Sequence, residues 1–182
     1  DGATVLVQGV LGGVGALAAQ IAAWGGATVL GTVLRRSDLD AAHRLPVSRV
    51  VALEDADPAS LIREAAPDGV DRIIEVAFSD NVDLDAEVAK VGTVIAAYAT
   101  RQDRPEIPFW PMLFANVTIR LLGSDDFPGA AKRAAASDLT RMASTGALSI
   151  PSAPPLPLAR AAEAHDRVDA GTRERVLLDV DL

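Results

Sequence analysis

The chain has 182 residues, 49% of them hydrophobic, which is enough for one domain with a sizeable core. A formal net charge of −8 argues against nucleic acid or an anionic membrane as a partner, since either would need a basic face. With no cysteine, and with His43 and His165 far apart in sequence, neither a disulfide nor a metal site is expected.

The first expected strand is Thr4-Val5-Leu6-Val7, which passes through Gln8 into a cluster of Gly9, Gly12, Gly13 and Gly15. An apolar, alanine-rich helix follows over residues 16–24. Strand, tight glycine turn and helix in that order form the grammar of a dinucleotide-binding unit. Gly12 lets the backbone approach a pyrophosphate, and Gly15 lets the helix pack closely. The phosphates then sit on the helix N-terminus, where unpaired N–H groups and the dipole favour anions. The first glycine of the usual G-x-G-x-x-G is missing: Val10 stands there, and Gly9 lies one residue earlier. A ligand-free strand-to-helix turn is the competing reading of the glycines alone.

The second strand covers residues 27–33. An NAD site usually carries an acid at the end of this strand to hold the ribose 2′-hydroxyl. Here Arg35-Arg36-Ser37 follow instead. Guanidinium groups grip a 2′-phosphate that an acid would repel, so the site leans towards NADP(H). Alternatively the arginines are solvated charges ahead of a helix capped by Ser37, with Asp40 closing a box-like pair. Asp38 reverses the cofactor preference if it turns towards the ribose.

Further strands are expected over residues 49–53, 70–77, 93–98 and 117–123. Helices are expected over 58–66 (capped by Asp57, with Pro58 in its first turn), 83–90 and 128–145. Pro105, Pro108 and Pro111 mark a loop. This alternation implies an α/β fold, a doubly wound, mostly parallel six-stranded sheet with helices on both faces. Prolines make residues 149–158 an extended linker or edge. A helix over 159–168 and a strand over 175–180 close the chain. The expected division is a cofactor domain over 1–147 and a carboxy-terminal segment over 148–182. No run approaches the roughly 20 apolar residues of a membrane span, and with no signal pattern ahead of the first strand the chain reads as cytoplasmic.

The runs V-L-V-Q-G-V-L-G-G-V-G, G-A-T-V-L-G-T-V, G-V-D-R-I-I-E-V, V-G-T-V-I-A-A-Y and N-V-T-I-R-L-L-G resemble the cofactor half of medium-chain dehydrogenases/reductases. The ending A-R-A-A-E-A-H-D-R-V-D-A-G-T-R-E-R-V-L-L-D-V is similar to that family's last helix and strand. The zinc-independent quinone oxidoreductase branch is nearest, with Gly9 in place of its usual alanine. The resemblance implies a Rossmann fold, an NADP cofactor and a small-molecule substrate. It implies that Gly12, Gly13, Val14 and Gly15 hold the pyrophosphate, and that Thr32, Arg35 and Arg36 hold the adenosine ribose and its phosphate, with Ser37 beside them. Ala77, Phe78, Ala97 and Tyr98, at the ends of the fourth and fifth strands, line the remaining wall. It also implies an amino-terminal GroES-like substrate domain, which the chain lacks before Asp1, so the sequence reads as a fragment with half a substrate cleft.

No residue is assigned as catalytic. Asp71 and Glu75 lie in the fourth strand, but one carboxylate names no reaction. The resemblance further implies a homodimer through the edge strand over residues 117–122, beginning at Val117 and ending at Leu122. The function expected is hydride transfer from NADPH to a quinone, enone or similar activated carbonyl. The alternative is a non-catalytic NADPH-binding or interaction module. A methyltransferase is weaker, since the glycine turn runs straight into a helix and basic residues follow the second strand.

Overall fold

The structure, a computed structural model, describes residues 2–181. The core elements are β1 (Thr4–Val7), α1 (Gly13–Trp24), β2 (Thr28–Val33), α2 (Leu39–Ala42), β3 (Arg49–Ala52), α3 (Pro58–Ala65), β4 (Val70–Glu75), α4 (Phe78–Val88), β5 (Ala89–Ala97), α5 (Phe109–Phe114), β6 (Thr118–Leu121) and α6 (Gly129–Ser144). The strands form one sheet in the order β3-β2-β1-β4-β5-β6, every pairing parallel. Strand order reverses between β1 and β4, where a doubly wound sheet opens its ligand crevice.

Period-two alternation sorts the strand residues onto two faces. Leu6, Leu30, Ile73 and Ile95 pack with Ile62 of α3, Phe78 and Val82 of α4 and Met112 of α5. Val5, Val7, Val29 and Val50 pack with Ala19 of α1 and Ala42 of α2. Both faces are therefore covered, as the sequence implies.

Several boundaries differ from expectation. The fourth helix starts at Phe78 rather than at residue 83, because Phe78 and Val82 are themselves core residues. β5 begins at Ala89, through a register shift between Val70 and Arg72 of its partner strand. The proline loop contains α5: Pro108 precedes it and Pro111 falls in its first turn, where a missing N–H costs nothing. Ser37 caps no helix. It lies within a 3-10 turn, Arg36–Asp38, and Asp38 stands at the start of α2 without a capping bond because its carboxylate is engaged elsewhere.

The carboxy-terminal segment folds back on the sheet domain. Its elements are β7 (Leu156–Pro157), α7 (Ala161–Asp169) and β8 (Leu178–Asp179); β7 and β8 pair in parallel. The last strand is thus far shorter than residues 175–180, with a single further bridge between Ser152 and Arg175. Gln20, buried on α1, anchors the segment twice: its Nε2 donates to the Ser149 carbonyl at 3.0 Å, and its Oε1 accepts from the Ser149 N–H at 2.7 Å.

Candidate functional site: a groove over the glycine turn

The turn that follows β1 is shaped by steric exclusion. Gly9 has φ +63°, in the region that favours glycine, and its carbonyl accepts the Gly12 N–H at 2.9 Å. A Cβ on Gly15 would lie 2.4 Å from that carbonyl oxygen, and one on Gly12 would lie 3.3 Å from it. Gly15 therefore seats the helix on the turn, while Gly13 is open. Val10, the departure from the usual motif, is fully buried. It fills the space over Gly31 of β2, where a Cβ would come within 2.9 Å of its side chain.

Beneath the turn runs a buried polar relay. The Gly9 N–H donates to Thr32 Oγ1 at 3.1 Å, Thr32 Oγ1 donates to Gln8 Oε1 at 2.6 Å, and Gln8 Nε2 donates to Asp85 Oδ1 at 2.8 Å. Asp85 is fully buried, and its Oδ2 has no hydrogen-bond partner. Burial, and then the nearby charge of Glu75, hold the Asp85 carboxyl well above the usual carboxylate range. Glu75 is also raised by burial, although it accepts from the Ala77 N–H and from Asn81 Nδ2 at 3.1 Å. Burial and Glu75 together push the Tyr98 hydroxyl up. Two carboxyls thus lie buried beneath the turn, and Asp85 braces it through Gln8 and Thr32.

A groove of about 530 Å³ opens above, lined by the turn from Gly9 to Val14, by Thr32, Val33, Leu34, Asp38, Val76 and Tyr98, and by Gly171, Thr172 and Arg173. It lies at the carboxyl ends of β1, β2, β4 and β5, with the exposed start of α1 facing it. Of the residues singled out from sequence, Gly12, Gly13, Val14, Thr32 and Tyr98 line it. Gly15 supports it from below. The Thr32 hydroxyl spends its donor and an acceptor on the relay, so Thr32 shapes the turn. Phe78 and Ala97 are core residues, and Ala77 starts α4 with its N–H on Glu75.

The basic residues after β2 are placed differently from expectation. Arg36 Nε donates to Asp55 at 2.5 Å, and the Arg36 N–H donates to Glu54 at 2.6 Å, which turns that guanidinium away from the groove. Arg35 and Ser37 are exposed and do not line it. Asp38 does line it, and is ion-paired with Arg173. The Arg175 guanidinium lies over Gly13, where a Cβ would be 3.6 Å from its Nη2. Sequence reasoning missed these two arginines because their partners are more than a hundred residues away. The only local hint is an R-x-R spacing just after Gly171. His43 and His165 are exposed and outside the groove. Among the described residues no three His, Cys, Asp or Glu side chains gather so as to hold a metal ion.

No curated protein matches the sequence significantly. The fold, however, is widely shared among solved structures. CurA from Vibrio vulnificus in complex with NADPH is 19% identical, with a TM-score of 0.79 over 98% of this chain and 58% of that one. A mycobacterial quinone oxidoreductase is 24% identical, with a TM-score of 0.83 over 93% of this chain and 54% of that one. An NAD-dependent alcohol dehydrogenase is 22% identical, with a TM-score of 0.81 over 98% of this chain and 51% of that one. The chain thus spans little more than half the length of these structures. Residues 13–136 match the sequence profile of the zinc-binding dehydrogenases, and the chain belongs to that family, within the medium-chain dehydrogenases/reductases.

Proposed function

We propose that the chain is the NADP(H)-binding part of a zinc-independent oxidoreductase that reduces a quinone, enone or similar activated carbonyl. The groove over the Gly9–Val14 turn carries this reading, because its glycines leave the space a pyrophosphate needs at the start of α1. The nicotinamide, when bound, supplies the hydride; the protein supplies binding, orientation and electrostatics. The backbone N–H groups at the start of α1 face the phosphates, and Arg175 adds a positive charge beside Gly13. Tyr98 and Val76 form the wall at the ends of β5 and β4. That the NADPH complex of CurA shares this fold supports the cofactor class. Substrate is positioned with a further domain, as the length of the neighbours supports, and the reduced carbonyl takes its proton from water.

Calorimetric titration of the full chain with NADPH tests the reading. Gly13→Asp is expected to weaken binding at least tenfold while the fold is kept, since a carboxylate there captures Arg175 and repels the pyrophosphate. Unchanged affinity in a folded variant removes the groove as the site.

We further propose a homodimer through β6, the last strand of the sheet. Leu121 is 78% exposed on that edge, and Phe114 (72%) and Trp110 (64%) of α5 extend the apolar surface. An unpaired apolar edge is a template for a second copy. Leu121→Lys is expected to shift sedimentation to the monomer; a dimer that persists places the interface elsewhere.

A further inference from the structure

One ion pair spans the groove at the end of β2. Arg173, in the carboxy-terminal segment, donates to Asp38 Oδ1, which lies at the start of α2. Both residues line the groove beside Thr32, Val33 and Leu34, the strand end where the adenosine ribose of a dinucleotide is held. The pair is solvent-reachable, with the Arg173 side chain 48% exposed and the Asp38 side chain 24%. An exposed ion pair is weak, and its guanidinium can exchange partners. Nearby, Arg36 is committed to Asp55 and Glu54 on the other side of the 3-10 turn.

We propose that Arg173 is the residue that recognises the ribose 2′-phosphate, and that Asp38 sets the cofactor preference by competing for it. The inference rests on the groove being the dinucleotide site. A phosphate offers the guanidinium two parallel charge-assisted hydrogen bonds and more charge than one carboxylate. On arrival it displaces Asp38 as the partner of Arg173, and Asp38 is left as a repelling neighbour. Asp38 therefore lowers the affinity for the phosphorylated cofactor, because the 2′-phosphate must take Arg173 from it. A 2′-hydroxyl leaves the ion pair intact and gains nothing from Arg173.

The experiment is calorimetry on the full chain with NADPH, NADH, 2′,5′-ADP and 5′-AMP, for the parent, Arg173→Ala and Asp38→Asn. Arg173→Ala is expected to weaken NADPH and 2′,5′-ADP about tenfold or more and to leave NADH and 5′-AMP within about twofold. Asp38→Asn is expected to tighten NADPH several-fold. Equal losses for all four ligands, or no loss, overturn the proposal and leave Arg173 as plain groove wall. Selective loss of NADH in Asp38→Asn also overturns it, because the carboxylate then reads a 2′-hydroxyl. If the parent binds none of the four, the groove is not a nucleotide site and the functional reading itself fails.

Discussion

The glycine turn and the carboxy-terminal segment face each other across one groove, yet they are held by different physics. The turn is over-determined. Gly9, Gly12 and Gly15 leave no room for alternatives, Val10 plugs Gly31, and a buried relay ties the Gly9 amide to Asp85. The segment is tethered at a few points, two hydrogen bonds to Gln20 and the Arg173–Asp38 ion pair, while its two-residue strand pairing only joins the segment to itself. On the reading proposed above, the rigid side fixes where a dinucleotide lies, while the tethered side, which carries the exchangeable charges, responds to which dinucleotide arrives.

The contrast breaks most sharply at Gly15. Gly15→Ala forces a Cβ against a backbone carbonyl that cannot move without dragging the turn, an overpacking cost of about 1–3 kcal/mol. Gly13→Ala, two residues away, meets only the far end of Arg175 and is expected to be close to neutral. Chemical denaturation of both variants checks the pair; equal losses imply that the turn is not sterically fixed. On the tethered side, Gln20→Ala removes both bonds to Ser149 and is expected to cost about 1–2 kcal/mol. Amide exchange should accelerate around residues 149–157 and stay unchanged in β1. Acceleration across the whole sheet would show that the segment and the sheet unfold as one unit.

The smallest expected effect concerns pH. The Asp85 carboxyl is raised in the folded state, so the native protein binds a proton that the unfolded chain releases near pH 4. Stability is then full below that point and declines as pH rises through the folded value. Asp85→Asn keeps an oxygen for the Gln8 bond and offers an N–H towards Glu75. It is expected to flatten this decline and to raise the melting temperature at pH 8 by about 2–4 °C, the equivalent of roughly 1 kcal/mol at this size. A steeper decline in the variant would mean that the Asp85 charge supports the relay.

What sequence reveals follows the same division. Strand patterning, the glycine spacing and Asp57, whose Oδ1 accepts the Ser60 N–H at 2.9 Å, are local features, and local physics governs them. Arg36 shows the limit. Its position after β2 fits a phosphate, but Asp55, nineteen residues on, claims it through the curl of β3 back beside β2. Arg173 and Arg175 are invisible for the opposite reason, since only the fold-back of the segment brings them to Asp38 and Gly13. Helix α5 is hidden by prolines that read as loop yet occupy first-turn positions.

The exchange of bulk between Val10 and Gly31 constrains how such a turn can change over generations. A chain carrying glycine at position 10 could acquire a side chain at 31, and one carrying glycine at 31 can keep valine at 10, but the two states are not joined by a neutral single step. Adding a methyl at 31 while Val10 remains puts carbon within 2.9 Å of carbon. Trimming Val10 first leaves a buried void over β2, which carries its own cavity cost but no collision. The passable route therefore runs through the cavity. Gly31→Ala should cost less in a background where Val10 has already been shortened than beside the intact valine.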